Sequence, residues 1–491
     1  MAGSDVSYGK RLTDPPVKVK LYEHQRRGWL RAMDALVFGG GGFGLLYEMG
    51  CGKTVTAIAI MGSLFQEGLL RRALIIAPAS VCGVWQRELE KYAAFPFECV
   101  HLTGTAAKRR SALKRLSESD ASALRVAVIN YEGAWRIPDR LRGEDAILDV
   151  APGLVLCDES HRIKQGSARQ SKYIHSLGDR AGFRMILTGT PIQNNPLDFF
   201  SQYRFLDKSV FGTSFLRFRA RYAVMGGYAV NGRPVQVIGY RNLSELSEKA
   251  YSCADRVTKA ECLDLPPQTF ETRYVELTET GRSLYAQLRQ QSVAWLGEHP
   301  ATAQNVLSRL LLLQRLTGGF LRPDDADEAQ LVDSAKLDAL NDILVDLNDA
   351  GEKCVVFVRF LDELFAISEQ LEKNGIGFVR IYGDVPQQER GALVDRFQSD
   401  PDTRVFLAQI DTAGLGITLT AARVAVFYSP TWNYASYQQA LARTHRIGAQ
   451  HSECHYIHLI CPGTVDEDVM SALEDKKSLA DYVVDGKIQS I

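Results

Sequence analysis

The chain has 491 residues, 46% of them hydrophobic, with 57 Lys and Arg against 58 Asp and Glu for a formal net charge of −1. That length suits two or three domains, each with its own core. The near-neutral balance excludes the strong basic field of a small nucleic-acid-binding domain, and no stretch reaches the roughly eighteen uncharged apolar residues of a membrane span.

Basic residues do cluster locally, as Lys108, Arg109, Arg110, Lys114, Arg115 and as Arg217, Arg219, Arg221, either as solvated helix faces or as the lining of a cleft. Residues Met1 to Leu12 lack the apolar core of a secretion signal, and none of the nine cysteines forms a CxxC pair. A protein with reduced thiols, cytoplasmic and with a nuclear location also open, is expected.

In chain order, short apolar runs alternate with amphipathic stretches, the pattern of strands and helices in a parallel sheet. Strands are expected at residues 44–47, 73–77, 126–129, 154–157 and 185–187. From about residue 201 to 333 helical spacing takes over, as in Leu284, Leu288 and Val293 and in the run from Leu307 to Leu316. Within it Asn231-Gly232, between strand-like residues of 228–238, predicts a hairpin with a type I′ turn and Pro234 on an unpaired edge. Asp324 to Glu328 reads as an exposed linker. Strands return at 354–358, 378–381, 405–407, 424–428 and 456–460, which makes the fold class α/β with two sheet domains.

Glu48-Met49-Gly50-Cys51-Gly52-Lys53-Thr54 follows the first strand and opens a helix, the place of a phosphate-binding loop. Gly50 and Gly52 let backbone N–H groups close around phosphate oxygens, which a helix N-terminus also favours. Lys53 then neutralises the β and γ phosphates of ATP, and the Thr54 hydroxyl ligates Mg²⁺. Tyr47 stands where the usual pattern has glycine, and Gly-Lys-Thr alone is a short motif. Its weight comes from Leu154-Val155-Leu156-Cys157-Asp158-Glu159-Ser160-His161, a strand that ends in two carboxylates. Asp158 would sit near the magnesium and Glu159 near the attacking water.

These residues resemble the DEAH-type box of helicase superfamily two, and the neighbouring stretches are similar to the Swi/Snf-like family over nearly the whole chain. Leu187-Thr188-Gly189-Thr190-Pro191-Ile192-Gln193-Asn194-Asn195 looks like motif III, in which Thr188, Thr190 and Gln193 would couple the site to motion. Arg162-Ile163-Lys164 extends motif II in the family manner. Leu21-Tyr22-Glu23-His24-Gln25 is similar to the segment in which a glutamine reads adenine, so Gln25 takes that role. Asp411 to Thr420, with Thr412, Ala413, Gly414 and Gly416, resembles motif V, and Gln438 to Gly448 resembles motif VI. In the family these face ATP across a cleft, which makes Arg446, with Arg443 beside it, the arginine finger. Tyr382-Gly383-Asp384 with Arg390, Trp432-Asn433 and the stretch from Arg256 to Pro267 are further family marks. The departures are Cys51 for leucine, Ser160 for alanine or glycine, and Ala449 for glutamine.

The resemblance implies two RecA-like domains, 1–204 and 334–491, the second ending in a brace helix, with a helical insertion carrying the hairpin and linker at 205–333. It implies an ATP- and Mg²⁺-dependent motor on double-stranded DNA that tracks phosphates rather than sequence. The loops expected to do so hold Ala77 to Ser80, Asn130 and Tyr131, Lys164, Tyr382 to Asp384 and Thr412 to Gly414. A strand-separating DNA or RNA helicase and a non-catalytic scaffold are the alternatives. His451, Cys454, His455, His458 and Cys461 offer zinc-ligand types, but alternation along a strand sends them to opposite faces.

Overall fold

In the computed structural model of the chain, residues 14–118, 122–135, 153–193, 195–230, 233–262, 266–298, 303–322, 329–415, 417–446 and 451–485 are described. The chain forms two compact units, one of residues 1–263 together with 476–491 and one of residues 264–475. Among the described residues no helix is long and apolar enough to cross a membrane.

The first unit is built on a seven-stranded sheet: β1 (Gly42–Tyr47), β2 (Arg72–Ala77), β3 (Phe97–His101), β4 (Leu124–Asn130), β5 (Leu154–Asp158), β6 (Phe183–Leu187) and β9 (Ala254–Val257). Their order is β3-β4-β2-β5-β6-β1-β9, and every neighbouring pair is parallel. A parallel sheet is covered on both faces, so its inner strands need continuous apolar runs rather than alternation. All residues of β1 and β5 are accordingly buried. Leu74, Ile76, Val155 and Ile186 meet Phe199 and Tyr203 on one face. Ile75, Leu156, Met185 and Leu187 meet Trp29, Ile58 and Trp85 on the other. Each such aliphatic side chain contributes about 1.5–3 kcal/mol by burial, so the sheet is a stiff frame. Because all strands run one way, the chain leaves them on a single edge at Glu48, Pro78, Tyr131, Glu159 and Thr188, where α/β sheets place their ligands.

The second unit has a six-stranded sheet of β10 (Gln268–Tyr274), β13 (Cys354–Val358), β14 (Phe378–Ile381), β15 (Val405–Gln409), β16 (Val424–Phe427) and β17 (Cys454–Ile460). The order is β10-β17-β16-β13-β15-β14, again parallel throughout. Val356, Leu407 and Val426 fill one face, and Val355, Phe406 and Phe427 the other.

All ten strands expected from apolar runs are present. The segment expected as one helical insertion is shared: 205–263 cluster with the first unit, while β10 and the helices Glu279–Glu298 and Ala303–Thr317 cluster with the second. The hairpin is formed by β7 (Ala223–Val230) and β8 (Arg233–Tyr240), paired antiparallel with Val230 opposite Arg233. Its Asn231-Gly232 turn and the acidic stretch from Asp324 to Glu328 lie outside the described residues. A two-residue pair, β11 (Phe320–Leu321) and β12 (Gln330–Leu331), lies within the second unit, between β10 and β13 in chain order. On β17, His455 bonds Thr269 Oγ1 and Glu271, while His458 lies on the other face, stacked on Phe427 at 4.8 Å and bonded to Tyr437.

Candidate functional site

Beyond β1 the chain turns through residues 48–52 into the helix Lys53–Gln66. The turn needs the left-handed region at Gly50 (φ 93°) and Gly52 (φ 84°). A Cβ on Gly52 would lie 2.1 Å from Gln25 Nε2, whereas one on Gly50 would meet nothing within 4 Å, so the turn is packed on one side and open on the other. Gln25 Nε2 donates to the Cys51 carbonyl at 3.3 Å, and His24 Nε2 reaches the same oxygen at 2.9 Å. Lys53 Nζ donates to the carbonyls of Tyr47 and Glu48 at 2.9 and 3.4 Å. Thr54 follows in the first turn of the helix, half-buried.

Tyr47, the departure from the usual loop pattern, is a core side chain. Its phenol donates to Asp255 Oδ2 at 3.0 Å, and Asp255 also pairs with Arg27 and Arg31. A Cβ at Gly28 would stand 1.7 Å from the phenol oxygen, so that glycine makes room for the ring. Arg256 then fastens the loop: it donates to the carbonyls of Leu46 and Gly189 and pairs with Glu48 at 3.2 Å. Gly189 itself would bring a Cβ within 3.1 Å of the Tyr47 carbonyl. The glycine of the third motif thus lies directly against the loop.

β5 delivers Asp158 to the same edge. Trp85 Nε1 donates to Asp158 Oδ2 at 3.0 Å, the Glu159 amide donates to Oδ1, and Tyr131 donates its phenol to the Asp158 carbonyl at 2.8 Å. Burial, and after it the adjacent Glu159 carboxylate, push Asp158 up to about 7. The Lys53 ammonium opposes that rise, and a further cation beside Asp158 would hold its carboxylate ionised. The oxygens of Thr54 and Asp158, next to a helix N-terminus and Lys53, are the hard donors that a magnesium–polyphosphate pair takes. Glu159 adopts the left-handed conformation at φ 52°, a strained place for a non-glycine residue that aims its carboxylate. Its Oε2 lies 3.3 Å from His161 Nδ1, which is 3.4 Å from Thr188 Oγ1. Thr188 Oγ1 accepts from the Thr190 amide, so the second and third motifs share one chain of polar contacts. The Ser160 departure has its own partner in Gln202 Oε1 at 2.7 Å.

The residues expected at DNA fall into two settings. Ser80, in the first turn of the helix Ala79–Tyr92 that follows β2, and Asn130, at the end of β4, are half-buried, with Asn130 Nδ2 donating to Glu132. Tyr131 is fully buried, its phenol turned inward. Lys164 donates to Gln193 Oε1, the Gln193 amide donates to Asp198, and burial pulls the Lys164 ammonium down against the opposing pull of Asp198. In the second unit, Gly383 is exposed past β14 and its carbonyl accepts from Arg390, while Thr412 Oγ1 donates to the Gln409 carbonyl at 2.6 Å. Ala413 and Gly414 belong to the 3-10 turn Ile410–Leu415. Gly416 and Ala449 lie outside the described residues. Arg443 is buried at the end of the helix Tyr434–Thr444, 3.4 Å from the Ile417 carbonyl, and Arg446 donates to Thr418 Oγ1 at 2.9 Å.

Residues 24–317 match the SNF2-related domain and residues 335–448 the helicase conserved C-terminal domain. The chain belongs to the SNF2-related family. Its matched SNF2 and helicase domains are those of a helicase-type ATPase of superfamily two, as the motifs imply. Among its relatives are the mouse DNA annealing helicase and endonuclease ZRANB3, 30% identical over 90% of this chain and 39% of that protein, and the chicken DNA repair and recombination protein RAD54-like, 27% identical over 96% and 69%. The TATA-binding protein-associated factor mot1 of Aspergillus fumigatus is 26% identical over 95% of this chain, which spans 27% of its length. The solved Sulfolobus solfataricus SWI2/SNF2 ATPase core in complex with dsDNA is 26% identical, covering 97% of this chain and 95% of its own, with a TM-score of 0.43. Trp85, Asp255 and the clamp made by Arg256 escaped the sequence reading, which took Arg256 only as a family mark. Their roles arise from partners 67 to 228 residues away along the chain.

Proposed function

We propose that this SNF2-family chain hydrolyses ATP to ADP and phosphate when bound to double-stranded DNA, and moves along the duplex so as to remodel or displace bound proteins. The observation that supports it most is the gathering, on one sheet edge, of Lys53, Thr54, Asp158 and Glu159 around a glycine loop open at Gly50. The DNA-directed names of the mouse and chicken relatives favour DNA as the track.

Gln25 holds the loop from the adenine side, and Lys53 receives the β and γ phosphates. Thr54 and Asp158 would hold Mg²⁺, which when bound supplies positive charge against the phosphate oxygens. Glu159, steered by His161, accepts the proton of the attacking water. Arg446, with Arg443, takes by resemblance the charge that develops on the transferring phosphoryl group. Contacts to DNA through Ser80, Asn130, Lys164, Gly383, Thr412, Ala413 and Gly414 would read the phosphate backbone, which every sequence shares.

The test is steady-state ATP hydrolysis by wild type and Glu159→Gln with no nucleic acid, single-stranded DNA, duplex DNA or RNA. Strong stimulation by duplex alone, lost in the variant, is expected. Equal stimulation by single strands or RNA would point instead to strand separation, and no hydrolysis under any condition would point to a scaffold.

A further inference from the structure

The phosphate loop carries a thiol that ATP hydrolysis does not use. Cys51 stands between Gly50 and Gly52, and Cys262 closes the short helix Lys259–Cys262; their Sγ atoms are 3.4 Å apart. Both are free thiols, Cys51 buried and Cys262 half-buried, so a small oxidant reaches the pair from the Cys262 side. A disulfide needs an S–S distance of about 2.05 Å, so the sulfurs must close by a little over 1 Å. The two flanking glycines and a helix of only four residues are segments that adjust by that much. We propose that Cys51 and Cys262 form a reversible disulfide that ties the phosphate loop to the end of the first unit and shuts the nucleotide site.

The shutting follows from what already holds the loop. His24 and Gln25 grip the Cys51 carbonyl, while Arg256 and the Lys259 amide grip Glu48. The loop's freedom to close its N–H groups around phosphates lies between those two anchors, at Met49 and Gly50, and the new bond would make the Cys51 anchor covalent. This consequence rests on the ATPase reading, whereas the bond itself does not.

The oxidant is a peroxide. The Cys262 thiolate attacks a peroxide oxygen and breaks the O–O bond, leaving a sulfenic acid and, after proton uptake, water. Cys51 sulfur then attacks the sulfenic sulfur, forming S–S and expelling hydroxide, which takes the Cys51 proton as a second water. Two electrons pass from the sulfurs to the peroxide, and a dithiol reverses the bond by exchange. Burial pushes both thiols up. Glu48 adds to this at both sulfurs and Glu261 at Cys262, against Lys53 at Cys51 and Arg27 at Cys262. Closure should therefore quicken as pH rises.

The full chain would be treated with hydrogen peroxide, alkylated and digested without reduction, and the linked Cys51–Cys262 peptide sought by mass spectrometry beside duplex-stimulated ATPase. The expected result is the linked peptide together with a fall in ATPase of an order of magnitude, restored by dithiothreitol. Cys262→Ser and Cys262→Ala should keep the untreated rate and resist peroxide. No linked peptide, a linked peptide with unchanged ATPase, or equal inactivation of the Cys262 variants would each overturn the proposal. Should the reduced protein hydrolyse no ATP at all, the ATPase reading has failed, and the peptide still decides whether the bond forms.

Discussion

Trp85 donates a hydrogen bond to one oxygen of the buried Asp158 carboxylate, whose other oxygen accepts from the Glu159 amide. A hydrogen bond to a buried charged group contributes about 1.5–3 kcal/mol, and Trp85→Phe removes the donor while keeping an aromatic ring. The variant should lose about 2 kcal/mol in urea unfolding. It should also need more Mg²⁺ for half-maximal ATPase, because Asp158 would no longer be held in one orientation. A normal magnesium requirement would show that Trp85 only fills space. Glu363 gives a second residue-scale prediction. Burial raises its carboxyl from 4.5 to about 7, against hydrogen bonds from Ser429 and the amides of Phe360 and Arg359 and the charge of Lys336. Between those two values the folded chain holds a proton that the unfolded chain has released, so this group's contribution to stability falls as pH rises through the window. The full penalty, on the order of 3 kcal/mol, applies above about pH 7. Glu363→Gln mimics the protonated form. Its thermal midpoint should exceed that of wild type at pH 8 and converge with it toward pH 5.

At the scale of elements, Lys336 at the start of the helix Ala335–Asp349 is buried against Asp466 in the first turn of the helix Val465–Asp485, with Nζ and Oδ2 2.5 Å apart. Asp466 also accepts from Thr317 Oγ1 and the Cys461 amide, so one carboxylate joins three segments of the second unit. Burial alone would pull the Lys336 ammonium down; Asp466 outweighs it and holds the ammonium above its ordinary value. Removing one partner strands a buried charge, and Asp466→Ala should cost about 3–5 kcal/mol by denaturant unfolding. A double Lys336→Met, Asp466→Ala variant should recover much of that loss, since no charge is then left unpaired. Which elements the sequence made legible has a physical cause of the same kind. Inner strands such as β5 and β13 are covered on both faces, and their apolar runs are unmistakable. β3, β9 and β10 were not anticipated because they are edge strands of mixed composition. The Phe97–His101 strand is only partly buried, Gln268–Tyr274 is largely exposed, and β9 carries Asp255 and Arg256 among its four residues. Those two charged residues hold Tyr47 and the phosphate loop, which is why a strand can carry them.

Across the whole molecule, the residues proposed to act on ATP divide between the units. Lys53, Thr54, Asp158 and Glu159 lie in the first and Arg443 and Arg446 in the second. The motifs proposed to act on ATP were legible because each is a contiguous run whose residue types carry its chemistry, but the preference for Arg446 over its neighbour Arg443 as the finger came from the resemblance alone, with no physical reason behind it. Their surroundings separate them. Arg443 is 3% exposed, its carbonyl accepts from the Leu419 amide and its guanidinium lies against the Ile417 carbonyl, so it braces the turn that holds the fifth motif. Arg446, past the end of the helix, is half-buried and bonded to Thr418. Arg443→Ala should therefore lower stability along with activity, whereas Arg446→Ala should leave the unfolding midpoint in place. If Arg446 meets charge that develops only in the transition state, its loss lowers kcat by about 10²–10³-fold while nucleotide affinity hardly moves. Arg446→Lys keeps the charge but lacks the planar fork and should recover only part of the rate. Steady-state turnover with duplex DNA, read beside binding of a fluorescent nucleotide, separates these effects. A weakened affinity with kcat intact would make Arg446 a ground-state contact and would move the finger role to Arg443.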